Sequence, residues 1–146
     1  MLPPFTAEGV LPPGIHAATW PEIEARFGRS PRRRELLAGL RRALADLSTA
    51  GCRRVYLNGS FVTAKEDPGD YDLCWDPDGV IEDALPETIR DPESWRTEIK
   101  RRYSGDIFRA GDRVGLGGWT FLDMFQFDRG VGRMKGIIVL EMETLP

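Results

Sequence analysis

Leucines at positions 36, 37, 40, 44 and 47 return to one face of a 3.6-residue period. The run opens at Ser30-Pro31, a cap followed by a preorganised first turn, and closes at Gly51, so a long amphipathic helix is predicted between them. Before it, Thr19 and Glu22 have the spacing of a capping box, predicting a short helix that reaches Phe27 and stops at Gly28. Residues 1–18 contain Pro3, Pro4, Pro12, Pro13 and Gly14, which favour an extended arm lying across the domain. After Gly51 the period changes. Val55, Tyr56 and Leu57 form a β-favouring run ending at Asn58-Gly59-Ser60, and Tyr71 to Trp75 alternate as a second strand after the Pro68-Gly69 break.

The DPDG at 76–79 reads as a turn, and residues 80–92, broken by Pro86 and Pro92, carry little pattern. Trp95, Ile99 and Tyr103 recur every four residues, with Glu98 and Arg102 in support, predicting a helix from Pro92 to Tyr103. Beyond it comes the Gly-rich GDRVGLGGW. Phe121, Asp123, Phe125 and Phe127 then alternate with Leu122, Met124 and Gln126, predicting a strand over Thr120 to Phe127 whose aromatic residues pack in the core. DRGVGR reads as a hairpin turn into a last strand, Lys135 to Met142, built on Ile137, Ile138, Val139 and Leu140. This order of elements predicts an α+β fold, an α/β sandwich with helices covering a mixed β-sheet. Its 146 residues suit one domain, 1–146.

Composition narrows the classes. Twenty basic against 23 acidic residues give a net charge of −3, which argues against strong duplex nucleic-acid binding. Seventeen of the 20 cations are Arg; Arg32, Arg33, Arg34, Arg41 and Arg42 fall mostly on the polar side of the long helix, a solvated face or a polyanion-binding stripe. Two cysteines, Cys52 and Cys74, make no disulfide framework and are expected as free thiols. No apolar run has the length of a membrane span, and the N-terminus lacks a signal-peptide pattern, so a cytoplasmic protein is expected. The single His16 disfavours a histidine metal site or a Ser-His-Asp triad. GLGG at 115–118 lacks the strand-before, helix-after setting of a dinucleotide fingerprint and reads as a loop.

The informative stretch is LNGSFVTAKEDPGDYDLCWD, residues 57–76. Gly59-Ser60 at a strand end lets backbone amides and a hydroxyl approach a phosphate, because Gly carries no Cβ. Asp70 and Asp72, two apart on one strand, put two carboxylates on one face, a spacing suited to a hard divalent cation such as Mg2+. A pair of metals needs a third carboxylate. Asp123 is the first choice because it interrupts an apolar strand; Asp76, Glu141 and Glu143 are the alternatives. Asn58-Gly59 as a plain hairpin turn, with Asp70 and Asp72 as the polar side of an exposed strand, is the purely structural reading of the same residues.

Gly59-Ser60, nine residues, then Asp70-Tyr71-Asp72-Leu73 resembles the signature of the nucleotidyltransferase-fold superfamily, its small minimal members in particular. The resemblance covers about 20 residues, together with the flanking strand, the preceding helix and the later Asp-bearing strand. It implies two Mg2+ ions held by Asp70, Asp72 and Asp123, and an NTP, ATP favoured, whose β- and γ-phosphates meet Gly59 and Ser60. It implies transfer of a nucleoside monophosphate to a hydroxyl of a protein, RNA or small molecule by in-line displacement of pyrophosphate, with Asp123 assisting proton removal. Lys65, in the linking segment, is a phosphate contact by the same resemblance or else a surface lysine. Minimal relatives keep the third carboxylate closer than the 50 residues that separate Asp72 from Asp123. They are often encoded beside a small helical partner protein, so the alternative function is a non-catalytic nucleotide sensor, or a toxin-antitoxin or defence partner, on the same fold.

Overall fold

A computed structural model describes residues 1–146. Thr19 caps α1 (Trp20–Phe27) by accepting from the Glu22 amide, and Ser30 caps α2 (Pro31–Thr49) by accepting from the Arg33 amide. The expected arm does run extended, and its residues Gly14–Ala17 form a strand, β1, that the sequence pattern did not reveal. Two strands follow where the alternation places them: β2 (Arg54–Asn58) and β3 (Tyr71–Trp75). After the one-turn α3 (Glu87–Arg90) come α4 (Arg96–Tyr103) and, directly from it, β4 (Gly105–Arg109). A small hairpin of β5 (Phe127–Asp128) and β6 (Arg133–Met134) precedes the last strand, β7 (Gly136–Glu141).

The main sheet has the order β1-β7-β2-β3-β4. Its outer pairs, β1 with β7 and β3 with β4, are parallel, while β7-β2 and β2-β3 are antiparallel. The fold is therefore α+β with a mixed sheet, as the element order predicts. Pleating divides the sheet into two faces. Val55, Leu57, Leu73, Ile107, Ile138 and Leu140 point into the main core with the apolar sides of α1, α2 and α4. Cys74, Ala110, Phe125 and Ile137 form a smaller cluster on the opposite face. Cys52 and Cys74 are free and buried, and burial pushes the Cys52 thiol up to about 11. No helix is long and apolar enough to cross a membrane.

One predicted element changes class. Thr120 to Phe127 is not a strand: Phe121–Phe125 form a short helix, α5. Thr120 accepts from the Asp123 amide while the Asp123 carboxylate accepts from the Thr120 amide, a reciprocal capping box. The alternation also fits a helix, since Phe121, Leu122 and Phe125 stand at i, i+1 and i+4 and lie together on the smaller cluster. Likewise DRGVGR closes its own hairpin, Phe127 to Met134, rather than pairing with β7.

The β3-α4-β4 unit is a parallel crossover whose last turn is unusually tight. Ser104 takes a left-handed conformation (φ 62°) at the end of α4, and the next residue already begins β4. Tyr71 fixes this joint by donating from Oη to the carbonyl of Tyr103 at 2.8 Å. Helix α2 presses on the same point: a Cβ at Gly39 would stand 2.1 Å from the Tyr103 carbonyl oxygen. Backbone cannot retreat like a flexible side chain, so Gly39→Ala is expected to lower the stability by about 3 kcal/mol and shift the denaturant midpoint accordingly.

Candidate functional site: three carboxylates and a glycine-serine turn

Asp72 and Asp106 face each other across the parallel β3-β4 pair, and Asn58 stands opposite Asp72 across β2. The alternation that sends Leu73 and Ile107 into the main core turns Asp72 and Asp106 to the other face. Asp70, two residues earlier, joins them. One carboxylate oxygen from each of Asp70, Asp72 and Asp106 lies within 4.8 Å of the other two. Ligands around an octahedral cation bound at about 2.1 Å are roughly 3–4 Å apart, so small side-chain movements bring this set to metal-binding distances.

The turn after β2 abuts this cluster. Gly59 has φ 89°, a left-handed value that glycine adopts freely, and a Cβ there would lie 3.0 Å from the Asp72 amide and 3.3 Å from its carboxylate Oδ2. Ser60 opens a single 3-10 turn, Ser60–Val62, and its Oγ donates to the Asp70 carbonyl at 3.4 Å. The glycine-serine step and the Asp-Tyr-Asp step are thus bonded to one another.

Between them, the 61–69 segment is held from below by α2. Arg33 is buried, and its guanidinium donates to the carbonyls of Phe61 (2.7 Å), Thr63 (2.7 Å), Lys65 and Phe27 (3.4 Å). Arg32 adds bonds to the carbonyls of Pro68 (3.2 Å) and Gly69. The expectation of a solvated arginine face therefore fails at Arg33, which stands in the first turn of α2 in line with Leu37 and Leu40 and so points inward, under the loop. Arg33→Met would leave several carbonyls without donors. The expected result is a loss of about 3 kcal/mol or more, read by thermal unfolding, with faster amide exchange confined to residues 61–67 while the rest of the sheet keeps its protection.

Electrostatics separate the three acids. Lys100, on α4, reaches both Asp70 Oδ2 and Asp106 Oδ2, the latter at 3.0 Å, and Arg96 lies 3.9 Å from Asp106. Burial works against the Lys100 charge, but the hydrogen bonds and charges of Asp70 and Asp106 outweigh it and hold its pKa above the ordinary lysine range. Asp72 has no ion-pair partner. Its burial, then the nearby charges of Asp70 and Asp106, push its carboxyl up to about 6, opposed only in part by Lys100 and Lys135. Beside Asp106 a cleft of about 520 Å³ opens at β4, where Arg96, Arg109 and Arg113 alternate with the carboxylates of Asp91, Glu93 and Asp112 around the stacked rings of Phe108 and Phe121.

Of the residues singled out in the sequence, Asp70, Asp72, Gly59 and Ser60 come together. Asp123 does not join them: it is exposed at the first turn of α5, occupied with its capping box, so the third carboxylate is Asp106. Asp76 lies at the far end of β3, its oxygens taken up by the Asp78 amide and by Arg54, while Glu141 pairs with Arg54. Lys65 is exposed, and only its backbone takes part in the loop's bonding. Asp106 and Lys100 escaped the sequence reading. The signal was present but faint: Asp106-Ile107-Phe108 alternates one residue into a strand that begins with no intervening loop after α4.

The sequence profile of a family of unknown function, DUF6932, matches residues 3–141. The chain belongs to that family. No curated protein and no solved structure matches it. The match runs from the N-terminal arm to the last residue of β7, so this DUF6932 chain carries the three carboxylates, Lys100 and the glycine-serine turn all within the family region.

Proposed function

We propose that the protein is a Mg2+-dependent nucleotidyltransferase that moves a nucleoside monophosphate from an NTP, ATP first among those to be tried, to a hydroxyl of a protein, RNA or small molecule. The observation that carries this reading is the convergence of Asp70, Asp72 and Asp106 against the Gly59-Ser60 turn. An all-oxygen, triply anionic donor set is the chemistry of a hard divalent cation, and Asp72, half-buried with no ion-pair partner of its own, is the group most in need of one. The three aspartates would hold the metal. When bound, a pair of Mg2+ ions would activate the acceptor hydroxyl and neutralise the departing pyrophosphate.

The chain's own residues have separable tasks in this reading. Gly59, lacking a Cβ, leaves the approach to Asp72 open to a phosphate, and Ser60 offers a hydroxyl whose present bond to the Asp70 carbonyl is long and easily exchanged. Arg33 keeps the connecting segment in one shape, which reduces the ordering that a bound triphosphate would otherwise impose. Asp106, not Asp123, takes the part of the third carboxylate. The cleft beside it has the volume of a small-molecule site, lined by both arginines and carboxylates.

Label transfer tests the proposal. Each of the four NTPs, labelled at the α-phosphate, is incubated with Mg2+, the protein and total cellular protein or RNA. The expected result is label on a macromolecule or a small acceptor with release of pyrophosphate, absent for Asp70→Asn/Asp72→Asn. Neither label nor pyrophosphate from any of the four would contradict transferase activity.

A further inference from the structure

The position of Lys100 carries a consequence for how this site takes up metal, and it rests on the reading of the three carboxylates as a metal centre. We propose that Lys100 is the site's resident cation, which a divalent ion must displace from Asp70 and Asp106 before it can be held, so that this lysine sets the metal affinity of the protein. The ammonium bonds two of the three carboxylates that a metal would need, Asp70 and Asp106. A metal and the Lys100 head cannot share them, because adjacent cations repel and the carboxylate oxygens are few.

Exposure decides which partner moves. The Lys100 side chain is 40% exposed at the surface of α4, so its head can swing into water on a flexible four-carbon stem without disturbing the core. The Asp106 side chain is only 13% exposed and stays where β4 puts it. Arg96, 71% exposed, meets Asp106 alone at 3.9 Å and does not bridge two carboxylates as Lys100 does. Charge balance gives the arrangement its purpose. Without metal, three carboxylates within 4.8 Å would repel one another, and Lys100 offsets that repulsion for the two it reaches while leaving Asp72 unpaired. The cationic position is thus held by a tethered substitute that a doubly charged ion can outcompete.

The test is calorimetric titration of Mn2+ alone, with no nucleotide, into wild type, Lys100→Met, Lys100→Gln and Lys135→Met, together with metal-free melting curves. Lys135 acts on Asp72 only through its field, so its variant measures the general effect of removing one positive charge. The expected result is Mn2+ binding about tenfold tighter or more in both Lys100 variants, a smaller gain for Lys135→Met, and a metal-free melting temperature that drops for the Lys100 variants and recovers with Mn2+. Unchanged or weaker binding in the Lys100 variants, or an equal gain in Lys135→Met, overturns displacement while leaving the metal centre itself standing. No Mn2+ binding by any of the four proteins overturns the metal centre, and the role of Lys100 with it. Lys100→Gln keeps a polar head at the site, so a folding failure of Lys100→Met leaves the comparison intact.

Discussion

Asp72→Asn is expected to make the metal-free protein more stable at pH 7, by about 3 kcal/mol, while removing its ability to hold a divalent ion. The physical origin is the unpaired, half-buried carboxylate. Folding raises the Asp72 carboxyl from 3.8 to about 6, because burial and the charges of Asp70 and Asp106 disfavour its ionised form. Between those two values the folded chain keeps a proton that the unfolded chain has released. Stability therefore falls as pH rises through the window from about 4 to 6, and above it the full penalty of the ionised form is present. The amide of Asn has no such transition. Denaturation curves of the two proteins should accordingly converge near pH 4 and separate by pH 7, with the variant the more stable. A variant that is less stable at pH 7, or a separation that does not depend on pH, would show that Asp72 is satisfied in some other way. A stabilising substitution at the centre of a site is the pattern left when a group is retained for chemistry at the expense of the fold.

The second large effect separates Asp106 from Asp123. Asp106→Asn is expected to weaken divalent-ion binding about a hundredfold or more and to abolish transfer, since it removes one of three charged ligands and one of the two partners of Lys100. Asp123→Asn keeps a capping side chain at the first turn of α5 and should leave metal binding unchanged. Asp123→Ala should cost about 1 kcal/mol of stability through the lost half of the capping box, again with metal binding intact. Titration of Mn2+ into the three variants, with melting curves in parallel, reads both effects. Metal binding lost in Asp123→Asn and kept in Asp106→Asn would reverse the assignment.

Much of this site is legible in the sequence. The spacing of Gly59-Ser60 and Asp70-Tyr71-Asp72 depends on local geometry, a strand end and a two-residue alternation, which a short stretch of sequence specifies by itself. The helices α1 and α2 were equally plain, because caps and apolar period agree at both. The third carboxylate was not, for two reasons. Strand β4 has five residues, starts without a loop after Tyr103, and offers only Ile107 and Phe108 as apolar positions, so nothing in its composition marks it. Asp123, in contrast, sits in an aromatic alternation that fits a strand or a helix, and the Thr120 cap decided for the helix. Arg33 failed for another reason: its charge groups it with the arginines of the polar side, whereas the period sets it three, four and seven residues before Leu36, Leu37 and Leu40, on the buried side, where the loop carbonyls receive it. Strand β1 needed a partner 122 residues away, Gly14 beside Gly136, which no local pattern shows.

The most direct test of the central claim is calorimetric titration of ATP, GTP, CTP and UTP with Mg2+ into wild type and Asp70→Asn/Asp72→Asn. Nucleotide binding by the wild type that requires Mg2+ and disappears in the double variant is the result this account predicts. Absence of binding by every NTP at millimolar concentration, with the wild type folded, would contradict it and leave the Gly59-Ser60 turn and the three carboxylates as features of structure alone.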